Sequence, residues 1–433
     1  MRIVPSNGIM ICGASFESGN RGVSALASSV VTLLSTEVCP GESITLFHPS
    51  NEIDPPVASA ERGGADVRTM TYWFRRLAPL RRNALSLLIG AVVYRLTPIT
   101  PVRRFLRRKL DVLDAMLSVR AVAEIWGGDS FSDIYGRSLF LKTSLGSVLA
   151  CILDRPLWLL PQTYGPYQSR LVRFLARRII SHAEVVLTRS RSHRWVEMLR
   201  LDQRVVREFC PDVAFLLAPA RSDYVDELVQ ATGDAAGPYG INVSGLLYYG
   251  GYSRDNTFGL AMDYRRFVLD LAGMILKDFG RSIVFVPHTY STDGSAGERE
   301  NDLGAAKSVI AELGISSHPG VSVIARDLDH HEIKYAIGKT GFFVGSRLHA
   351  CIGALSQGIP AVGVAYSDKF IDVFGSIGLS DLVVDARAVS EDTAIVTIRR
   401  LMSAHDLAER VRTSAAVVER NIRDCFSALN GLH

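Results

Sequence analysis

Residues 341–369, GFFVGSRLHACIGALSQGIPAVGVAYSDK, constrain the fold more tightly than any other part of the chain. Residues 341–344 are an unbroken apolar run, the pattern of a strand covered on both faces. Residues 348–357 carry small and apolar side chains over a helical length, and Gly358-Ile-Pro360 supplies the stop and the turn. Residues 361–364 are a second apolar run. A strand, a helix and a strand joined so closely predict a parallel βαβ unit and therefore an α/β fold.

The same alternation recurs along the chain. Strands are expected at 3–13, 43–48, 121–126, 156–161 and 184–188, with helices at 23–34, 138–153, 169–181 and 191–199. Further on, strands are expected at 240–243, 282–287 and 321–324, and helices at 263–279, 297–313 and 330–337. Residues 216–238 are rich in Ala, Asp, Gly and Pro without a period and read as a linker, with a short helix near 224–230. The organisation predicted is an N-terminal Rossmann-like domain at 1–215 carrying a basic insertion at about 67–110, that linker, a C-terminal Rossmann-like domain at 239–390, and C-terminal helices at 391–433 that pack back across both. Two doubly wound Rossmann-like domains facing across a cleft suit a chain of 433 residues with 48% apolar content.

In such sheets ligands bind beyond the carboxyl ends of the strands. Ser346, Arg347 and His349 follow one strand at a helix N-terminus, where backbone N–H groups and the helix dipole favour an anion. Lys369 follows the next strand. Arginine grips a carboxylate or phosphate with paired hydrogen bonds, lysine adds a point charge, and histidine moves protons near neutral pH. The set suits a small, doubly charged anion with acid–base chemistry attached. Taken singly, a histidine in a helix is more often structural, and Arg347 and Lys369 also suit an ordinary surface.

Charge is localised. Between residues 67 and 110 there are eleven Lys and Arg and no Asp or Glu, although the whole chain carries only +4, so the remainder is net acidic. Within this stretch residues 84–94, ALSLLIGAVVY, form an apolar segment about half the ~20 residues needed to span a bilayer. It suits either a helix lying on an anionic leaflet, with membrane contact through about 71–109, or a core-packing helix with a solvated basic face. Six scattered cysteines with no CxxC read as reduced, buried thiols, not as a disulfide framework or a zinc site. With no signal-peptide pattern at the N-terminus, they point to a cytoplasmic protein, peripheral on the inner membrane face if the apolar segment engages lipid.

Several motifs resemble the polysaccharide pyruvyl transferase family over most of the chain. They are Asn20-Arg-Gly22; Trp126-Gly-Gly-Asp-Ser-Phe-Ser-Asp-Ile-Tyr135; Pro161-Gln-Thr-Tyr-Gly-Pro166; Thr188-Arg189; Cys210-Pro-Asp212; Val286-Pro-His288; Ser346-Arg-Leu-His349; and Tyr366-Ser-Asp-Lys369. The resemblance implies the two-domain GT-B glycosyltransferase architecture. It implies phosphoenolpyruvate as donor substrate, no cofactor and no metal, and a cyclic pyruvate ketal formed on two hydroxyls of a sugar. The acceptor it implies is a polysaccharide, a glycolipid or a lipid-linked saccharide. His349 matches the family's general acid/base position, while Arg347, Lys369 and Arg189, the last from the facing domain, would hold the donor. Asn20, Asp129, Ser130, Asp133 and Gln162 follow first-domain strands and suit sugar hydroxyls. Asn20 and Asp129 equally suit helix or turn caps. His288 is either a second proton carrier or a turn residue. Val23 stands where family members often carry an acidic residue, and 70–110 matches no family feature.

Three other readings arise. A GT-B glycosyltransferase with a nucleotide-sugar donor shares the fold, and Asp368 or Asp372 could meet its ribose. A phosphate-binding loop at Gly338-Lys-Thr340 fails, because Ile333 replaces the required glycine and the residues lead into a strand. A nucleic-acid partner is not expected, since the basic segment lacks regular aromatic interleaving despite Tyr72, Trp73 and Phe74.

Overall fold

The computed structural model describes residues 8–16, 18–49, 59–62, 65–74, 80–127, 131–134, 136–190, 194–199, 206–251, 256–290 and 300–431. The chain divides into two compact units: Met1–Phe16, Leu26–Asp212 and Asn421–His433 form the first, and Glu17–Ala25 with Val213–Arg420 the second.

Among the described residues the first unit contains β1 (Gly8–Cys12), β2 (Ser43–Pro49), β3 (Ser59–Arg62), β4 (Ala65–Tyr72), β5 (Ala121–Glu124), β6 (Leu157–Gln162), β7 (Val185–Thr188) and β8 (Val206–Phe209). They form one sheet in the order 3-4-2-1-5-6-7-8, parallel except for the antiparallel β3–β4 pair. Strands β1, β5, β6 and β7 are buried along their whole lengths, which is why the sequence shows them as continuous apolar runs. The chain winds one way from β1 and the other way from β5, so the topological switch point lies between these two strands.

The second unit repeats the plan with β9 (Tyr239–Asn242), β10 (Ile283–Phe285), β11 (Val321–Val323), β12 (Phe342–Gly345), β13 (Ala361–Ala365) and β14 (Val383–Asp385). The order is 11-10-9-12-13-14 and every pairing is parallel. Here the switch point lies between β9 and β12, where Asn242 stands opposite Gly345. The helix Leu348–Leu355 sits close to the sheet because its buried face is built from small residues. A Cβ on Gly345 would fall 2.8 Å from Cys351 Sγ, so this approach requires glycine.

Three segments differ from the sequence expectation. Residues 17–25, expected in the N-terminal domain, belong with the second unit. The start of the basic stretch is not an insertion: residues 65–72 are core strand β4, beside β2. The linker is ordered, with the helix Asp223–Gln230 in place, and the change of unit falls at Asp212–Val213. The six cysteines are all free, four of them buried.

Candidate functional site

The carboxyl edge of the second sheet is organised by one fully buried carboxylate, Asp302, at the start of the helix Asp302–Glu312. Its oxygens accept from Gly245 N at 2.9 Å, His288 N at 3.2 Å, Thr289 N at 3.0 Å and Asn242 Nδ2 at 3.2 Å. Arg347 completes the set, with Nη2 2.8 Å and Nε 3.2 Å from Oδ1. Asp302 therefore ties together the loops that follow β9, β10 and β12. Sequence reasoning missed it: with the helix expected from 297, Asp302 falls on its second turn and looks like an ordinary helix-surface carboxylate. The adjoining N-cap, Asn301, was the available signal.

Arg347 is the N-cap of the helix Leu348–Leu355, and Asn242 Oδ1 accepts its backbone N–H at 2.9 Å. Burial alone would lower its pKa, but the charge of Asp302 outweighs that and holds it above the ordinary value. The guanidinium is thus a fixed cation directed toward the β9–β10 side. The neighbouring hydroxyl, Ser346 Oγ, accepts from Tyr264 at 2.7 Å.

His349 lies on the first turn of the same helix, against Gly22. A Cβ on Gly22 would come within 2.4 Å of His349 Nδ1 and 2.9 Å of its Cβ. The turn carrying Gly22 is pinned to the loop after β10: Asn20 bridges Thr289, and Arg21 N donates to His288 O at 3.0 Å. Arg21 is held in turn by Leu328 O at 2.8 Å, by Asp327 and by the Tyr290 ring. His288 is buried, and its pKa lies well below the usual histidine value. Burial is the main cause, followed by the positive surroundings of His349, Arg347, Arg21 and His330. Two imidazoles thus share one cationic neighbourhood, and one of them is kept neutral.

Lys369 stands at the start of the helix Asp368–Ser376, with its ammonium 5.3 Å from the Tyr366 ring centre. β12 and β13 are paired, so it stands one strand over from Arg347. Asn20 takes the capping role, its Oδ1 accepting from Gly22 N at 3.0 Å.

Elsewhere the sequence candidates are committed to structure. Gln162 is fully buried and accepts from Trp126 N at 3.1 Å. Asp133 accepts from Gln168 N at 2.9 Å and Ser169 N at 2.7 Å, fixing the entry to the helix Arg170–His182. Arg189, expected to help hold the donor, is shut in the first unit, 2.9 Å from Asp212 and 2.9 Å from Thr163 Oγ1. Two motifs separate in sequence, Thr188-Arg189 and Cys210-Pro-Asp212, so meet in one buried ion pair. Asp129 and Ser130 lie outside the described residues. Among the described residues, no three His, Cys, Asp or Glu converge to hold a metal ion.

Two parallel-sheet α/β units of this kind define the GT-B class of fold. Solved structures agree. A trehalose-6-phosphate synthase, OtsA, is similar with a TM-score of 0.59 at 12% identity, covering 99% of this chain and 100% of that one. A UGT transferase from Siraitia grosvenorii in complex with UDP is similar with a TM-score of 0.54 at 10% identity, covering 98% and 99%. The chain belongs to the polysaccharide pyruvyl transferase family, whose model matches residues 88–368. It is also 21% identical over 327 residues to the amylovoran biosynthesis protein AmsJ of Erwinia amylovora, spanning 74% of this chain and 73% of that protein. Membership makes it a transferase of polysaccharide biosynthesis.

Proposed function

We propose that the chain moves the enolpyruvyl group of phosphoenolpyruvate onto two hydroxyls of one sugar, closing a cyclic ketal and releasing phosphate. One juxtaposition supports this most: His349 and a neutral His288 flank the pinned Asn20-Arg21-Gly22 turn, beside Arg347 at a helix N-terminus. His349 protonates the methylene carbon, generating an oxocarbenium-like centre at the carbon bearing phosphate. The first sugar hydroxyl adds there and its proton restores the imidazolium. The second hydroxyl displaces phosphate, which leaves with that proton. Lys369 and the first-turn amides of the helix Leu348–Leu355 hold the phosphate and carboxylate, while Arg347, paired with Asp302, supplies fixed positive charge behind them. The donor's negative charge offsets the cations around His288, which then relays a hydroxyl proton. Asp129 and Ser130, next after β5 in sequence, are assigned to the acceptor sugar.

The rival is a nucleotide-sugar donor on the same fold. Asp368, one carboxylate suited to a donor ribose, is paired with Arg387 at 2.7 Å. Thermal unfolding with each donor separates the two readings. At a hundred times its dissociation constant a ligand stabilises by about 2.7 kcal/mol. Phosphoenolpyruvate is expected to give that shift, Lys369→Ala to shrink it, and His349→Gln to retain it while losing acceptor-dependent phosphate release. Stabilisation by a uridine-diphosphate sugar, with none by phosphoenolpyruvate, would overturn the proposal.

A further inference from the structure

The helix Ala84–Leu96 is apolar on both faces, a pattern that ordinarily belongs to a helix buried all round. One face, with Ala84, Leu87, Gly90 and Ala91, is buried and packs on the helix Leu145–Leu153. The opposite face carries Leu85, Ile89, Val92, Val93 and Leu96, a stripe at helical spacing, and all five are exposed; Leu85 is 65% and Leu96 76% accessible. The next helix, Thr100–Lys109, buries no residue and exposes Phe105 beside Arg104, Arg108 and Lys109. Other arginines here are already occupied, Arg95 by Asp154 at 3.0 Å and Arg107 by Asp114.

We propose that this face of the first unit lies on an anionic lipid bilayer, the aliphatic stripe at the acyl boundary and the exposed cations at the lipid phosphates. The sequence left a choice between a membrane helix and a core helix; the structure packs one face and leaves the other for lipid. Thirteen residues of helix rise about 20 Å, short of the ~30 Å hydrocarbon core. No described helix is long and apolar enough to cross a membrane. The helix therefore lies in the plane of the interface, as a stripe flanked by cations does. Charge selects the occupant. A second copy would bring a like-charged face, and a single-stranded nucleic acid would leave the five-residue aliphatic stripe uncovered, with Phe74 and Phe105 exposed but Tyr72 and Trp73 buried. Lipid phosphates match the guanidinium geometry and acyl chains match the stripe. This inference is independent of the donor chemistry.

Flotation of the full chain with vesicles tests it, using phosphatidylcholine alone and phosphatidylcholine mixed equally with phosphatidylglycerol. Binding is expected to the mixed vesicles and to weaken with added salt. Arg104→Ala with Arg108→Ala should weaken it about 30-fold on mixed vesicles, at roughly fivefold per lost cation. Leu85→Gln with Leu96→Gln should lower it by tenfold or more, roughly, on the same vesicles. These positions are exposed, so circular dichroism and phosphate release with a water-soluble acceptor should be unchanged in both variants. Equal binding to both vesicle types, no binding to either, or a solution dimer abolished by the leucine changes would overturn the proposal.

Discussion

At the scale of single residues, one glycine explains why a turn far away in sequence belongs to the site. Nothing larger than hydrogen fits on Gly22 without moving the His349 ring, because the clash reaches the ring's own Cβ as well as Nδ1. Gly22→Ala is therefore expected to lower kcat by about a hundredfold or more, the usual weight of a displaced general acid. Stabilisation by phosphoenolpyruvate should persist, and combining Gly22→Ala with His349→Ala should cost no more than His349→Ala alone. An additive double variant would show that Gly22 acts elsewhere. The sequence named both ends of this contact, as Asn20-Arg-Gly22 and Ser346-Arg-Leu-His349, but no local pattern shows that two motifs more than three hundred residues apart touch. The same gap hid the partnership of Arg189 with Asp212, whose burial together removes Arg189 from the solvent-facing role expected of it.

At the scale of elements, the carboxyl edge of the second sheet depends on Asp302 as a shared acceptor for three loops. Asp302→Ala leaves the Arg347 guanidinium buried without its counter-charge, and strands the N–H groups of Gly245, His288 and Thr289. A loss of roughly 3–5 kcal/mol is expected from breaking such a pair. Chemical denaturation should show a smaller loss for Asp302→Asn, which keeps the shape and part of the acceptor set. Equal stability of Asp302→Ala and wild type would mean that the loops hold one another without it. The core strands were legible because parallel strands buried on both faces must be continuous apolar runs. Strand β4 was not: its alternation, Val67-Arg68-Thr69-Met70, lies inside a stretch dominated by arginine, and charge masked the period. The assignment of residues 17–25 to the second unit was equally invisible, since it follows from where the chain travels, not from what it is made of.

At the scale of the whole molecule, each unit buries an ionisable side chain whose uncharged form the fold favours, Glu124 in the first and Lys334 in the second, and the two act on stability with opposite sign. In the first unit Glu124, at the end of β5 and bonded to Ser147, is fully buried, and burial raises its pKa well above the usual carboxylate value. The unfolded chain loses that proton near pH ~4.3 and the folded one does not, so Glu124 makes the first unit less stable as pH rises above that point. In the second unit Lys334, bonded to Phe215 O at 3.1 Å, has its pKa lowered to about 7 by burial, with Glu419 opposing. Here the unfolded chain binds the extra proton between about 7 and ~10.4, so stability rises with pH across that window. Glu124→Gln should therefore stabilise little at pH 4 and progressively more at higher pH. Lys334→Met should stabilise by roughly 4 kcal/mol near neutrality, an advantage that fades as pH approaches ~10. The chain itself supplies the readout, because all four tryptophans, Trp73, Trp126, Trp158 and Trp195, belong to the first unit. In urea titrations Glu124→Gln should move the tryptophan fluorescence midpoint, while Lys334→Met should move the far-ultraviolet dichroism without the fluorescence following it. A Glu124→Gln gain that does not change with pH would show that the buried carboxyl ionises as freely in the folded chain as in the unfolded one.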